Sequence, residues 1–285
     1  MNKHLHIFGM GYSASYLAAK LRGRGWRVTG TRRTGDELHI AFDDDAAVRA
    51  ALAGASHILS SVPPERSGDD PVMKRYGDAI TGAGALWTGY FSSTGVYGDA
   101  AGAWVDESAP VKGRRAGRNA ADLAWQALNK RVRIFRLPGI YGPGRSALER
   151  VTEGKAHRID LPDQIFSRVH VGDIASGIIA SFDGPPGVYN LSDDLPCGQN
   201  AVTEYAAALL GREPPPMQSL TEAQLSPMAL AFYAENRRVA NGKAKRLLGW
   251  QPLYPTYREG LRACMEISNP AIASAAPAAA NPDQI

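Results

Sequence analysis

Cysteine is nearly absent from this chain. Its two copies, Cys197 and Cys264, stand far apart and outside any metal-ligand spacing. A disulfide-stapled secreted scaffold is therefore excluded, no metal site is expected, and a reduced, cytoplasmic setting is the simplest reading. Long apolar runs are missing too: nothing approaches the roughly 20 residues that span a bilayer. The first apolar run is short and leads straight into glycines, unlike a secretory leader. Charge of one sign is also lacking. The formal net charge is +4, and the densest basic group is Arg114, Arg115 and Arg118. No basic stripe with interleaved aromatics occurs, so neither a nucleic-acid nor a membrane partner is expected. What remains is ordinary globular composition. With 44% hydrophobic and 21% charged residues over 285 positions, the chain can fill one large or two modest domains.

The most informative stretch is the first. Leu5, Ile7 and Phe8 form an apolar run of strand length, and Gly9-Met10-Gly11-Tyr12-Ser13-Ala14 follows it. Ala14, Leu17, Ala18 and Leu21 then fall at i, i+3, i+4, i+7, one face of a helix. Strand, G-x-G-x-x-A turn and helix form the context of a dinucleotide fingerprint. Gly9 permits the tight turn, Gly11 lets backbone approach a pyrophosphate, and Ala14 lets the helix pack closely. The free N–H groups of the first helical turn then face the anion.

Farther along, Arg27–Thr31 reads as a second strand, ending in Arg32 and Arg33 with no acid at its tip. An acid there would bind the 2′-hydroxyl of NAD, whereas a guanidinium fork matches the 2′-phosphate of NADP. The spacing favours NADP over NAD, although Asp36 stands close enough to compete. Glu37–Phe42 reads as a third strand, His57–Val62 as a fourth and Leu86–Phe91 as a fifth. Residues 118–129 read as a helix with Leu123, Ala124, Ala127 and Leu128 toward the core, and Val132–Leu137 as a sixth strand. Asp173 reads as a helix N-cap, and Thr256 with Glu259 as a capping box. Strands alternating with helices predict an α/β fold, a doubly wound parallel sheet of the Rossmann type whose ligands sit at the carboxyl ends of the strands. Ser93 and Thr94 occupy such an end, a position that turn chemistry explains equally well. From residue 268 to 285 the chain is Ala, Pro, Asn and Ser, and reads as a flexible tail.

Taken in order, these pieces resemble the extended short-chain dehydrogenase/reductase family, the NAD(P)-dependent epimerase/dehydratase group. The motifs are G-M-G-Y-S-A at the start, F-S-S-T-G-V-Y-G-D at 91–99, V-D-E-S-A-P at 105–110, R-L-P-G-I-Y-G-P-G at 136–144, R-V-H-V-G-D-I-A at 168–175 and L-L-G-W-Q-P at 247–252. The resemblance implies a nucleotide-binding domain over 1–145, to which 168–192 returns, and a small, mostly helical substrate domain over 146–267. It implies that Gly9, Gly11, Tyr12, Ser13 and Ala14 hold the pyrophosphate and that Arg32 and Arg33 read the adenosine phosphate. Ser60, Ser61 and Val62 would line the path toward the nicotinamide ribose, and Pro138 and Gly139 would border the nicotinamide. Ser93, with Thr94 beside it, matches the family's catalytic serine or threonine. The implied substrate is a small molecule, nucleotide sugars being among those the family admits. Relatives pair through two helices of the nucleotide-binding domain, which leaves a homodimer open.

One departure stands out. The family's proton relay is Tyr-x-x-x-Lys. Counting back eight residues from Asp122, the tyrosine slot holds Arg114 and the lysine slot Arg118, and a shift by one gives Arg115 and Asn119. No tyrosine occurs between Tyr97 and Tyr141, so no shift restores the pair. Arginine has no acceptor and stays protonated at neutral pH, so it cannot replace the phenol. Two readings follow. One is an NADP-dependent oxidoreductase or epimerase-like enzyme in which Ser93 orients the reacting oxygen and Arg114 or Arg118 stabilises developing charge, with Tyr97, Tyr141 and His170 as candidate proton donors. The other is a non-catalytic NADP-binding sensor or interaction protein.

Overall fold

The computed structural model describes residues 3–65 and 67–268. The expected tail, apart from Ser268, lies outside the described residues. Strand β1 (His4–Phe8) leads through the glycine turn into helix α1 (Tyr12–Arg22), and β2 (Arg27–Arg32) returns beside it. Next come β3 (Ile40–Ala41), α2 (Asp45–Ala53), β4 (His57–Ser60), α3 (Pro71–Gly82) and β5 (Trp87–Ser93). A 3₁₀ turn, Thr94–Tyr97, and the short β6 (Trp104–Val105) precede α4 (Ala116–Leu128) and β7 (Val132–Leu137). The remainder runs β8 (Gly139–Tyr141), α5 (Ala147–Thr152), β9 (Arg158–Ile159), β10 (Arg168–His170), α6 (Val171–Ala180), β11 (Gly187–Asn190), α7 (Gln199–Leu209), β12 (Met217–Gln218), α8 (Pro227–Tyr233), β13 (Arg238–Val239), α9 (Gly242–Leu248) and α10 (Tyr257–Ser268).

Seven strands form one parallel sheet in the order β11-β7-β5-β4-β1-β2-β3. The order reverses on either side of β1, the doubly wound arrangement that opens a crevice at the strand ends. Alternation along the strands sorts the core into two layers. Leu5, Ile7, Phe91 and Phe135 face α1 and α6, where Leu17, Leu21, Ile174 and Ile178 meet them. Phe8, Ile58, Tyr90 and Ile134 face α3 and α4, where Tyr76, Ile80 and Trp125 meet them. A third cluster joins α5, α7 and α10 through Leu148, Val151, Val202, Ala206, Leu261 and Cys264. No helix among the described residues is long and apolar enough to cross a membrane.

Three local readings are corrected. The third strand shrinks to Ile40–Ala41 because Asp36 draws the chain into a turn, accepting from Leu38 N–H at 2.8 Å and pairing with His39. Helix α4 is rotated relative to its apolar stripe. Leu123 is 52% exposed, and Ala124 and Ala127 are exposed beside it. The inner face is Ala121, Asp122 and Trp125. Trp125 stacks on Tyr90 with ring centroids 5.1 Å apart and donates to Asp70 at 2.8 Å, while Asp122 pairs with Arg136. These polar anchors fix the rotation, and hydrophobic spacing cannot register them. Asp173 is not the cap of α6. His170 caps it, Nδ1 accepting from Gly172 N–H at 3.1 Å. Buried Asp173 instead accepts from Leu253 N–H at 2.5 Å and Tyr254 N–H at 3.2 Å.

Candidate functional site

The glycine turn is held from both neighbouring strands. Gly9 N–H donates to Thr31 Oγ1 at 3.1 Å, Met10 N–H donates to Thr31 O at 2.9 Å, and Ser61 Oγ donates to Gly9 O at 2.5 Å. Gly9 has φ +83°, and a side chain there would strike Val62. Around Gly11 there is open space, since an added Cβ would meet nothing within 4 Å. Gly11 caps α1 with no side-chain bond, and no acid stands in the first turn. The first intrahelical bond is Ser15 N–H to Gly11 O, at 2.8 Å. The N–H groups of Tyr12, Ser13 and Ala14 therefore precede the hydrogen-bond ladder, at the positive end of the helix. Ala14 is buried where α1 meets the sheet. Tyr12 reaches away to donate to Pro143 O at 3.0 Å.

A cleft of about 1070 Å³ opens over this turn. Its walls include Gly11–Ala14, Ser61, Ser93, Thr94, Arg114, Arg115, Arg118, Pro138 and Gly139, with α5, α7 and the segment 231–239 opposite. Five of the residues assigned to the cofactor from the sequence are not on this wall. Gly9 and Val62 pack behind it, and Ser60 is fully buried in β4. Arg32 and Arg33 stand exposed at the end of β2. Arg32 donates to Asp36 at 3.2 Å, so the competitor noted in the sequence is engaged. Arg33 makes no polar contact with the described residues.

Ser93 caps the 3₁₀ turn, its hydroxyl accepting from Gly95 N–H at 3.1 Å. The segment ending at Gly113 is laid against that turn: Lys112 and Gly113 N–H both donate to Val96 O at 2.8 Å. This brings the first turn of α4 beside Ser93. At the tyrosine slot, Arg114 donates to Glu235 at 2.7 Å and to Ala231 O at 2.7 Å, tying the wall of the cleft to α8 and the chain just after it. At the lysine slot, Arg118 is half-buried and its guanidinium bonds to nothing among the described residues. Burial lowers its pKa from the usual range, and Arg115 pushes the same way.

The candidate proton donors differ in placement. The Tyr97 hydroxyl donates to Asn190 at 2.7 Å beneath the Arg136 guanidinium, in a buried network away from the cleft wall. That network continues from Arg136 to Asp122, which also accepts from Ser92 at 2.5 Å. Burial pushes the Tyr97 phenol up to about 12. His170 is occupied as the cap of α6, with Cys264 Sγ 3.6 Å from Nε2, and burial lowers its pKa to about 4. Tyr141 borders the cleft, but its hydroxyl is buried against Gly260 without a partner.

Sequence reading missed much of the opposite wall. Arg145, Arg150, Arg168, Glu235 and Arg237 all line it. One local signal was available, the S-A-L-E capping box in which Ser146 and Glu149 start α5 between Arg145 and Arg150. Glu235 had none, because it meets Arg114 across 121 residues. The walls carry seven arginines against three glutamates, with no aspartate or lysine, so the field inside favours an anionic ligand.

This geometry has known counterparts. No family model matches the chain. Protein YeeZ of Escherichia coli K12 is 30% identical over 247 residues, covering 75% of this chain and 86% of that protein. The chain belongs to the same family as Protein YeeZ. A solved protein of Silicibacter pomeroyi, described as functionally unknown, is 41% identical with a TM-score of 0.82, covering 93% of this chain and 99% of that one. The structure of MoeE5 with UDP-glucose and NAD shares the fold at 20% identity and a TM-score of 0.74, covering 94% of this family member and 99% of its own chain.

Proposed function

We propose that the protein binds a nicotinamide dinucleotide, NADP(H) in preference to NAD(H), and uses it as an oxidoreductase or epimerase-like enzyme on a small molecule. One observation carries this reading: a glycine turn pinned at Thr31 and Ser61 presents unbonded N–H groups to a cleft that Ser93 also lines. The pyrophosphate rests on Gly9–Ala14, with Ser61 on the path toward the ribose and Ser60 and Val62 packed behind. Pro138 and Gly139 border the nicotinamide. Ser93, with Thr94 beside it, hydrogen-bonds the reacting oxygen. Arg114 and Arg118 replace the missing phenol and amine with fixed positive charge, which stabilises developing negative charge without moving a proton. Residues 1–145 and 168–192 form the cofactor half and the rest of 146–267 the substrate half. MoeE5, crystallised with UDP-glucose, supports a nucleotide-sugar-like substrate. The exposed apolar stripe of α4 suits a homodimer.

The preference for NADP(H) rests on Arg33, whose guanidinium is free for a phosphate, with Arg32 reachable once Asp36 yields. Fluorescence titration tests it. Arg33→Ala should weaken NADPH about tenfold, the scale of one charge-assisted hydrogen bond, and leave NADH within about twofold. Tighter NADH than NADPH binding by the unaltered protein overturns the arginine reading. Failure of both to bind at millimolar levels overturns the function.

A further inference from the structure

Among the described residues, the arginines that are not exposed share a habit. Arg133, Arg136, Arg158, Arg168, Arg237 and Arg238 each donate to a carbonyl or carboxylate oxygen. Arg118 is the exception. It is half-buried on the cleft wall, its guanidinium has no polar partner, and its electrostatic neighbours are the neutral Tyr90 and the like-charged Arg115. No acid stands in the first turn of α4 to offset the pair. A guanidinium only partly reached by water and left without an acceptor costs free energy. A second cation one helical turn away adds to that cost.

We propose that Arg118, with Arg115, binds an oxyanion carried by the substrate, a carboxylate or phosphate placed next to the reacting carbon. The position follows from the backbone bonds that hold residues 112–113 on the turn after Ser93. A group on Arg118 therefore lies on the same side of the cleft as the reacting oxygen on Ser93. Two guanidinium forks match the two oxygens of a carboxylate or two oxygens of a phosphate. Ribose hydroxyls of the cofactor could satisfy the hydrogen bonds of Arg118, but they would leave both charges unneutralised. The proposal rests on the reading of the cleft as a cofactor-and-substrate site, and it narrows the substrate to an organic anion.

The test is calorimetric titration of the full chain, with and without saturating NADPH, using oxalate, inorganic phosphate and the neutral oxamide. Oxalate or phosphate should bind and oxamide should not. Whichever binds more tightly identifies the oxyanion as planar or tetrahedral. Arg118→Gln should weaken that anion roughly 10- to 100-fold, the range of a charged hydrogen bond. Arg115→Gln, at an exposed position where folding is not at stake, should weaken it a smaller, roughly threefold amount. Equal binding of oxalate and oxamide, or undiminished anion binding by Arg118→Gln with a native melting curve, overturns the proposal. So does a loss confined to NADPH, which would assign Arg118 to the cofactor. Anion binding that depends on Arg118 in a protein deaf to NADPH would instead reject the proposed function and leave the anion site standing.

Discussion

At the scale of single residues, the cleft separates groups that hold charge from groups that hold structure. Ser93 is short, fixed by Gly95 N–H, and placed among cations. With any substrate the protein is found to turn over, Ser93→Ala should lower kcat/KM by about 100-fold with NADPH affinity unchanged. An unchanged rate in steady-state assays would remove Ser93 from the reaction. His170, a candidate from the sequence, shows how a titratable side chain is absorbed by the fold: Nδ1 is needed as an acceptor at the start of α6, so the ring stays neutral. Tyr97 is similarly committed to Asn190. Both side chains are chemically suited to proton transfer. The Tyr97 partner lies 93 residues away and the His170 partner is a backbone N–H at the helix start, so residue type and motif position alone could not separate either from a free donor.

At the scale of elements, much of the chain was legible. Strand, glycine turn and helix at the start, the third strand's brevity aside, follow from apolar spacing and glycine placement, because those local preferences agree with the final packing. Helix α4 was legible in extent but not in rotation. Its inner face is set by Asp122 against Arg136 at 2.8 Å and by Trp125 against Asp70, all buried. The buried pair has a measurable signature. Asp122→Ala, which strands the Arg136 guanidinium, should destabilise the fold by about 3–5 kcal/mol in urea denaturation. The double variant Asp122→Leu, Arg136→Met should lose far less, because no charge is left unpaired.

At the scale of the whole molecule, the cleft joins segments that lie far apart in the chain, and its charge is a property of their assembly. Loops and short helpers such as α5 and the 231–239 segment contribute walls that no motif announces. The same assembly buries acids. Asp193 is 2% exposed, and burial pushes its carboxyl up to about 7 against the pull of Arg168. A carboxyl that holds its proton more tightly when folded stabilises the fold at low pH. That contribution fades as pH rises from about 4, the unfolded value, through about 7. Asp193→Asn should therefore be more stable than the unaltered protein at pH 8 by upwards of about 1 kcal/mol, with the gap closing toward pH 4. Chemical denaturation at the two pH values checks the sign, and a gap of the opposite sense would show that Asp193 is ionised and stabilising.

The union of Asp122 with Arg136 also has a bearing on descent. A single replacement at either position strands a charge in the interior, so substitutions that survive must arrive together or restore a counter-charge nearby. Aligned descendants of a common ancestor should show the two positions changing in step, as acid with base or as two uncharged residues. Independent drift at the two sites would show that the interior tolerates the lone ion.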